Sequence, residues 1–239
     1  MDKELRKELH RDELGDAITE ARGALTRSEV VKPALVVVAL FLVLFGLYYG
    51  QKFRAGNAEA AFSRATEVYH ATVGTNANAA PGVETFATEN AKLQKAKTMF
   101  DEVAKSYGSM AAGRRARYYS ALCLAGLGQI KEAEVSLKEI AAIKDPGAIE
   151  PAMARLRIAE LALQDGRPKV AAEQFKALIA DSTAGLPKDR LIFGMAESLE
   201  AAGERLEARR AYTDLVNRHP QSPYAEGARQ KMEVLATQS

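Results

Sequence analysis

Apolar positions fall along this chain in distinct rhythms. In residues 1–29, Leu5, Leu9, Ala17, Ile18, Ala21 and Leu25 recur at three- and four-residue steps, with Lys3, Glu4, Arg6, Lys7, Glu8, Arg11, Asp12 and Glu13 between them. That spacing predicts a charged amphipathic helix, weakened in its middle by Gly15. From Pro33 to Tyr49 the periodicity gives way to 17 residues, PALVVVALFLVLFGLYY, with no charged or strongly polar side chain. Beyond them the helical rhythm returns and runs to about Ala236.

A helix rises about 1.5 Å per residue, so the apolar run covers roughly 26 Å. Extended to residues 30–50 it reaches the ~20 residues that cross a hydrocarbon core about 30 Å thick. Lys32 then lies one turn inside the end, where its ammonium reaches back to the headgroups. Pro33 falls in the first turn, where a missing N–H costs little. Tyr48 and Tyr49, with Lys52 and Arg54 just beyond, make an interfacial belt at the other end. A cleaved signal peptide fits poorly, because 32 residues precede the run and aromatic and basic residues succeed it. A buried core helix would rarely lack a polar face for so long. The segment reads as an uncleaved single-pass anchor, joined through Lys52–Ala55 to the helical remainder of the chain. Positive charges near the anchor tie: Arg22, Arg27 and Lys32 before it, Lys52, Arg54 and Arg64 after it. The basic short tail tips the expected orientation towards a cytoplasmic N-terminus, with the larger domain extracytoplasmic.

Residues 51–110 read as a first helical pair around a long loop. Ala58, Ala61, Phe62, Ala65, Val68, Tyr69 and Thr72 form an apolar stripe over residues 55–73. Gly, Asn, Pro and small residues over 74–87 predict the loop. Helix resumes near Thr88 with Ala91, Leu93, Ala96, Phe100, Val103, Ala104 and Tyr107, and breaks at Gly108–Ser109.

Residues 111–236 repeat. Gly128, Gly166 and Gly203 lie 38 and 37 residues apart. Each is preceded by seven residues by an alanine (Ala121, Ala159, Ala196) and followed after five by another (Ala133, Ala171, Ala208). Four residues beyond comes a large apolar residue (Leu137, Phe175, Tyr212), and three further another (Ile140, Leu178, Leu215). Each unit therefore predicts two antiparallel helices with a turn at the glycine and close backbone approach at the alanines. One pair cannot bury its own apolar face, so the units must stack. After Pro220, Ser222-Pro223-Tyr224-Ala225 starts a final helix to about Ala236, whose polar Arg229, Gln230 and Glu233 suit a cap.

These Ala, Gly and aromatic landmarks resemble the tetratricopeptide repeat. The units here exceed the usual 34 residues, with the extra length around Asp145-Pro146-Gly147 and Ser182–Pro187. Arg117, Arg155 and Ile192 stand where the family's pattern begins with tryptophan. The resemblance implies an all-α fold, a single transmembrane helix followed by an α-solenoid. It also implies that the first helix of each pair lines a concave groove. Counted from the first alanines, that groove would present Arg115, Tyr118 and Leu122, then Met153, Leu156 and Glu160, then Arg190, Phe193 and Glu197. An apolar ladder of Tyr118, Leu156 and Phe193 bordered by charge suits an extended or helical peptide. No asparagine lies on these positions, so the family's clamp for a chain-terminal carboxylate is not matched.

Composition narrows function further. Lys+Arg 33 against Asp+Glu 31 leaves no basic excess for nucleic acid. The single cysteine, Cys123, excludes an internal disulfide framework and reads as a small buried apolar residue. His10, His70 and His219 are isolated, and no phosphate loop, nucleophile elbow or zinc-type pair occurs. No enzyme activity, cofactor, metal or small-molecule substrate is expected. Charged tail, single anchor and repeat domain together resemble the bacterial single-pass tetratricopeptide proteins typified by the ancillary subunit of the Sec translocon. That resemblance implies an inner-membrane, periplasm-facing scaffold working beside the translocation channel and periplasmic chaperones, with protein or peptide partners. Two alternatives stand beside it: an envelope scaffold for cell-wall, division or secretion machinery, and a non-catalytic accessory subunit of a membrane enzyme or transporter.

Overall fold

The computed structural model describes residues 18–20, 22–23, 28–74, 85–145 and 147–237. Most of the expected helix over 1–29 and most of the 74–87 loop lie outside them. The chain divides into two compact units, Met1–Gly56 and Asn57–Ser239. It is all-helical apart from one isolated bridge among the described residues.

The first unit is dominated by α1, Ser28–Tyr69, whose backbone stays helical across the unit boundary. Its apolar stretch has a mean hydropathy of 2.3 and no buried positions. Side chains from Leu35 (64 % exposed) to Tyr49 (53 %) project outward. It is long and apolar enough to cross a membrane. Two expectations change here. Because the helix starts at Ser28, Pro33 sits inside it rather than in its first turn, and its ring removes the hydrogen bond that the Glu29 carbonyl would accept. No break occurs at Lys52–Ala55 either: an isolated helical glycine costs only about 1 kcal/mol, and Gly50 and Gly56 are carried by good helix formers between them.

In the second unit, Asn57–Tyr69 is the first packing helix. It ends four residues before the expected Val73, where Val73 instead bridges to Phe86. Gly74 N donates to Phe86 O at 2.9 Å and Phe86 N to Thr72 O at 3.2 Å, so the ends of the loop are tied together. Then α2 runs over Glu89–Tyr107, its N-terminus capped by Thr88 Oγ1 accepting from Ala91 N at 3.1 Å.

Six helices build the repeats. They are α3 (Ala111–Gly126), α4 (Ile130–Ala141), α5 (Glu150–Gln164), α6 (Pro168–Ala180), α7 (Lys188–Ala201) and α8 (Arg205–Arg218). The last helix is α9, Ala225–Thr237. Each helix packs on its sequence neighbour, and α3 also touches α5, as α5 does α7. The first helices of successive pairs thus form one inner row.

The repeated turn has one geometry. Gly128, Gly166 and Gly203 adopt φ of 77°, 70° and 80°, a region open to glycine. The residue after each donates back across the turn: Gln129 to Leu124 O (2.9 Å), Arg167 to Ala162 O (2.8 Å) and Glu204 to Leu199 O (2.9 Å). These close the orphan carbonyls of the first helix. Ala121, Ala159, Ala196, Ala133, Ala171 and Ala208 are all fully buried, as are Leu137, Tyr212 and Leu215, with Phe175 nearly so. The alanine grid is where paired backbones meet.

Four rings from three elements lock the start of the solenoid. Tyr119 of α3 lies 5.5 Å from Phe62, 5.5 Å from Tyr69 and 5.2 Å from Phe100, centroid to centroid. Such pairs add about 0.5–1.5 kcal/mol each beyond their area. Nearby, α2 and α3 approach so closely at Gly113 that a Cβ there would stand 2.0 Å from Tyr107 O.

This packing has two measurable outcomes. Gly113→Ala forces backbone apart from backbone, and chemical denaturation should show a loss at or above the usual 1–3 kcal/mol of core overpacking. Between α6 and α7, Asp181 accepts from Thr183 Oγ1 (2.6 Å), Arg155 Nη1 (2.8 Å) and Thr183 N (2.9 Å), which holds its carboxyl down to about 2. A carboxylate depressed by folding stabilises above its unfolded value and loses that contribution as pH falls through the folded one. The melting-temperature gap between wild type and Asp181→Asn should therefore be constant above pH ~5 and close between pH ~4 and ~2.

Candidate functional site

The inner row of α3, α5 and α7 carries all nine residues expected to face a partner, but it does not treat them alike. Tyr118 and Leu156 are each only 8 % exposed, packed into the cores between adjacent pairs. Burial, with Glu160 nearby, pushes the Tyr118 hydroxyl up to about 12. The middle of the expected apolar ladder therefore leaves little area for a partner. Leu122 and Met153 are partly buried against the same core as Tyr118.

Arg115 is engaged within the protein. Its Nη2 donates to Glu59 Oε1 and Oε2 at 2.5 and 2.6 Å, and its guanidinium carbon stands 4.6 Å over the Phe62 ring. One turn of the next row is similarly tied. Glu160 accepts from Arg157 Nη1 at 3.1 Å on its own helix and from Arg190 Nη2 at 2.5 Å across to α7. Exposed ion pairs of this kind contribute ~0–1 kcal/mol; their effect here is to order the side chains that border the face.

Four of the nine residues converge. Glu160, Arg190, Phe193 and Glu197 line a pocket of about 290 Å³ together with Gly194 and Tyr224. Phe193 stacks on Tyr224 at 5.1 Å between centroids and meets Tyr212 edge-on at 5.8 Å. Tyr224 is positioned by the turn before α9: Ser222 Oγ donates to Asp189 Oδ2 at 2.7 Å and accepts from Tyr224 N at 3.1 Å. The Ser222 hydrogen bond also holds the Asp189 carboxyl below its ordinary value. Gly194 keeps the pocket floor thin, because a Cβ there would fall 2.5 Å from the Phe175 ring. Tyr224, Arg157 and Glu59 were not among the expected site residues. Tyr224 sits in the turn into α9, outside the repeat register, and Glu59 is 56 residues from Arg115, so no spacing rule reaches either.

Cys123 is buried between α1, α2 and α3, and burial pushes its thiol up to about 12. Among the described residues no cluster of three or more His, Cys, Asp or Glu is arranged to hold a metal ion.

Residues 33–237 match the model of the tetratricopeptide repeat-like domain. The chain belongs to that family. Its solved relatives by shape are distant. The nearly identical TPR-like repeats of a Podosopora anserina putative kinesin light chain align at a TM-score of 0.57 with 13% identity, over 77% of this chain and 86% of theirs. PilF of Pseudomonas aeruginosa aligns at 0.50 with 15% identity, over 82% and 87%. At such identity both show the fold alone. No curated protein sequence matches the chain. As a tetratricopeptide-like repeat protein it has the fold of a protein–protein interaction scaffold, a domain type that is generally non-catalytic.

One consequence for the tetratricopeptide-like unit is directly measurable. A thiol that burial keeps protonated and out of contact with solvent is a poor nucleophile at neutral pH. Cys123 should resist alkylation by iodoacetamide at pH 8 in the folded protein and react fully once denatured, as read by mass spectrometry.

Proposed function

We propose that the protein is a membrane-tethered scaffold that binds protein or peptide partners on the inner face of α3, α5 and α7. The observation that carries this reading is the Phe193–Tyr224 pocket on that face, where stacked rings stay partly open beside charged side chains. Partial exposure of large aromatics in a concave site is the usual mark of a partner anchor. Tethering is supported by the outward-facing apolar side chains of α1, which need a lipid environment rather than water. The family match also starts at Pro33, so it takes in the apolar segment together with the repeats.

The specific setting is an accessory of protein translocation or periplasmic chaperone handover, with the N-terminus cytoplasmic and the repeats periplasmic. Its support is the layout of charged tail, single apolar helix and repeats. In this reading the groove comprises Arg115, Tyr118, Leu122, Met153, Leu156, Glu160, Arg190, Phe193 and Glu197, with the working contacts concentrated at its α7 end.

Photo-crosslinking from within the membrane tests it. The full chain carrying p-benzoylphenylalanine at Met153 or Phe193 should form adducts with the translocation channel or its chaperones. The same probe at Lys176, on the outward side of α6, should form few. Adducts only with wall-synthesis or division proteins would replace the translocation setting, and equal yields from both faces would overturn the groove.

A further inference from the structure

The charges of the inner face are paired, with one exception. Arg115 is answered by Glu59, and Arg157 and Arg190 by Glu160. Glu197, the remaining carboxylate on this face, has no cation within ion-pair distance among the described residues. The basic group that acts on its carboxyl is Lys231, which is itself held by Glu200 at 3.0 Å. Glu197 is also half-buried in the pocket wall, one turn from Phe193 on the same helix. A buried, unanswered charge costs stability, and its burial raises the Glu197 carboxyl above its ordinary value, with Glu200 adding to the rise and Lys231 opposing it. Replacing it by an uncharged residue would relieve that cost, so the carboxylate is not there to hold the fold.

We infer that the Phe193–Tyr224–Glu197 pocket receives a lysine or arginine side chain from a basic segment of the partner protein. The apolar stem of such a residue fits against the stacked rings, whose π-faces also attract its cation. Glu197 then supplies the charge-assisted hydrogen bond at the tip. About 290 Å³ is ample room for one such side chain. The rim leans in the same direction: Arg190 already donates from Nη2 to Glu160, so an acidic side chain entering the pocket would face Glu197 and would have to share an arginine with Glu160. The Ser222–Asp189 hydrogen bond fixes Tyr224 before anything binds, which reduces the ordering cost.

This assignment rests on the inner face being the binding face, but it fails separately. Random heptapeptides displayed on phage are panned against the full chain in lipid nanodiscs. Enriched sequences should carry a lysine or arginine beside an apolar residue. A synthetic copy of an enriched peptide should lose about five- to tenfold in affinity when that residue becomes norleucine, and as much against Glu197→Gln. Glu197→Gln should melt no lower than wild type, which separates lost recognition from lost folding. Phe193→Ala should weaken both peptides, the basic one by more than the norleucine one, because the basic one also loses the ring that attracts its cation. Enrichment without a basic preference, unchanged affinity for Glu197→Gln, or no enrichment would each overturn the inference. Crosslinking from Phe193 in membranes would still report on the groove itself.

Discussion

Everything in the repeat unit depends on how closely paired helices approach one another. At Ala121 against its partner helix, and again at Ala159 and Ala196, the buried side chain is a single methyl. Anything larger would separate the backbones and lift Leu137, Phe175 and Tyr212 out of the gaps they fill. The left-handed glycine turns serve the same end. By closing the first helix with a five-residue backward hydrogen bond, they send the second helix back at one fixed angle each time. Stacking is the result, because three pairs of equal geometry present equal apolar faces. Gly113 and Gly194 show the limit of that closeness, one against a carbonyl and the other against a ring.

This constraint is why so much of the fold could be read from residue order. A requirement for alanine, glycine and a large apolar residue at fixed intervals leaves few substitutes: the alanine and large apolar landmarks are buried, while the three glycines stand exposed in turns at positive φ. Readings that rested on a weaker energetic preference fared differently. Lys52–Ala55 reads as a short link between the anchor and the repeats, yet the helix runs through it, because the glycines on either side cost a helix so little that neighbours decide the outcome. The position three before each first alanine illustrates the same point. Tyr118 and Leu156 are enclosed by the next pair, whereas Phe193 faces the turn before α9 and stays partly open. One register position thus serves two purposes, set by what lies beyond the local pattern. The clasp from Arg115 to Glu59 and the stack of Phe193 on Tyr224 join distant segments, and tertiary placement alone brings them together.

The inner face is organised by charge neutralisation carried out almost to completion. Glu59 and Glu160 each fix arginines that would otherwise sweep across the surface, and the aromatic cluster around Tyr119 anchors the helix that carries Glu59. What remains is a face whose charged side chains are paired along most of its length and which, on the proposed reading, receives a partner at its α7 end. Scaffolds gain selectivity from such an arrangement, because the ordered remainder offers an intruding segment few alternative pairings.

The receptive end is shared between two elements: α7 supplies Phe193 and Glu197, and the turn into α9 supplies Tyr224. Among the described residues α9 packs on α8 and the facing side of α7 only, so its docking energy is drawn from one side of the helix. In linear repeat arrays such an element opens more readily than one held on both sides. If the pocket takes a side chain as proposed, its occupancy and the closure of α9 are thermodynamically coupled. A bound side chain tightens the helix by mass action, and slowed amide exchange along α9 becomes a reporter of occupancy at a site it only partly forms.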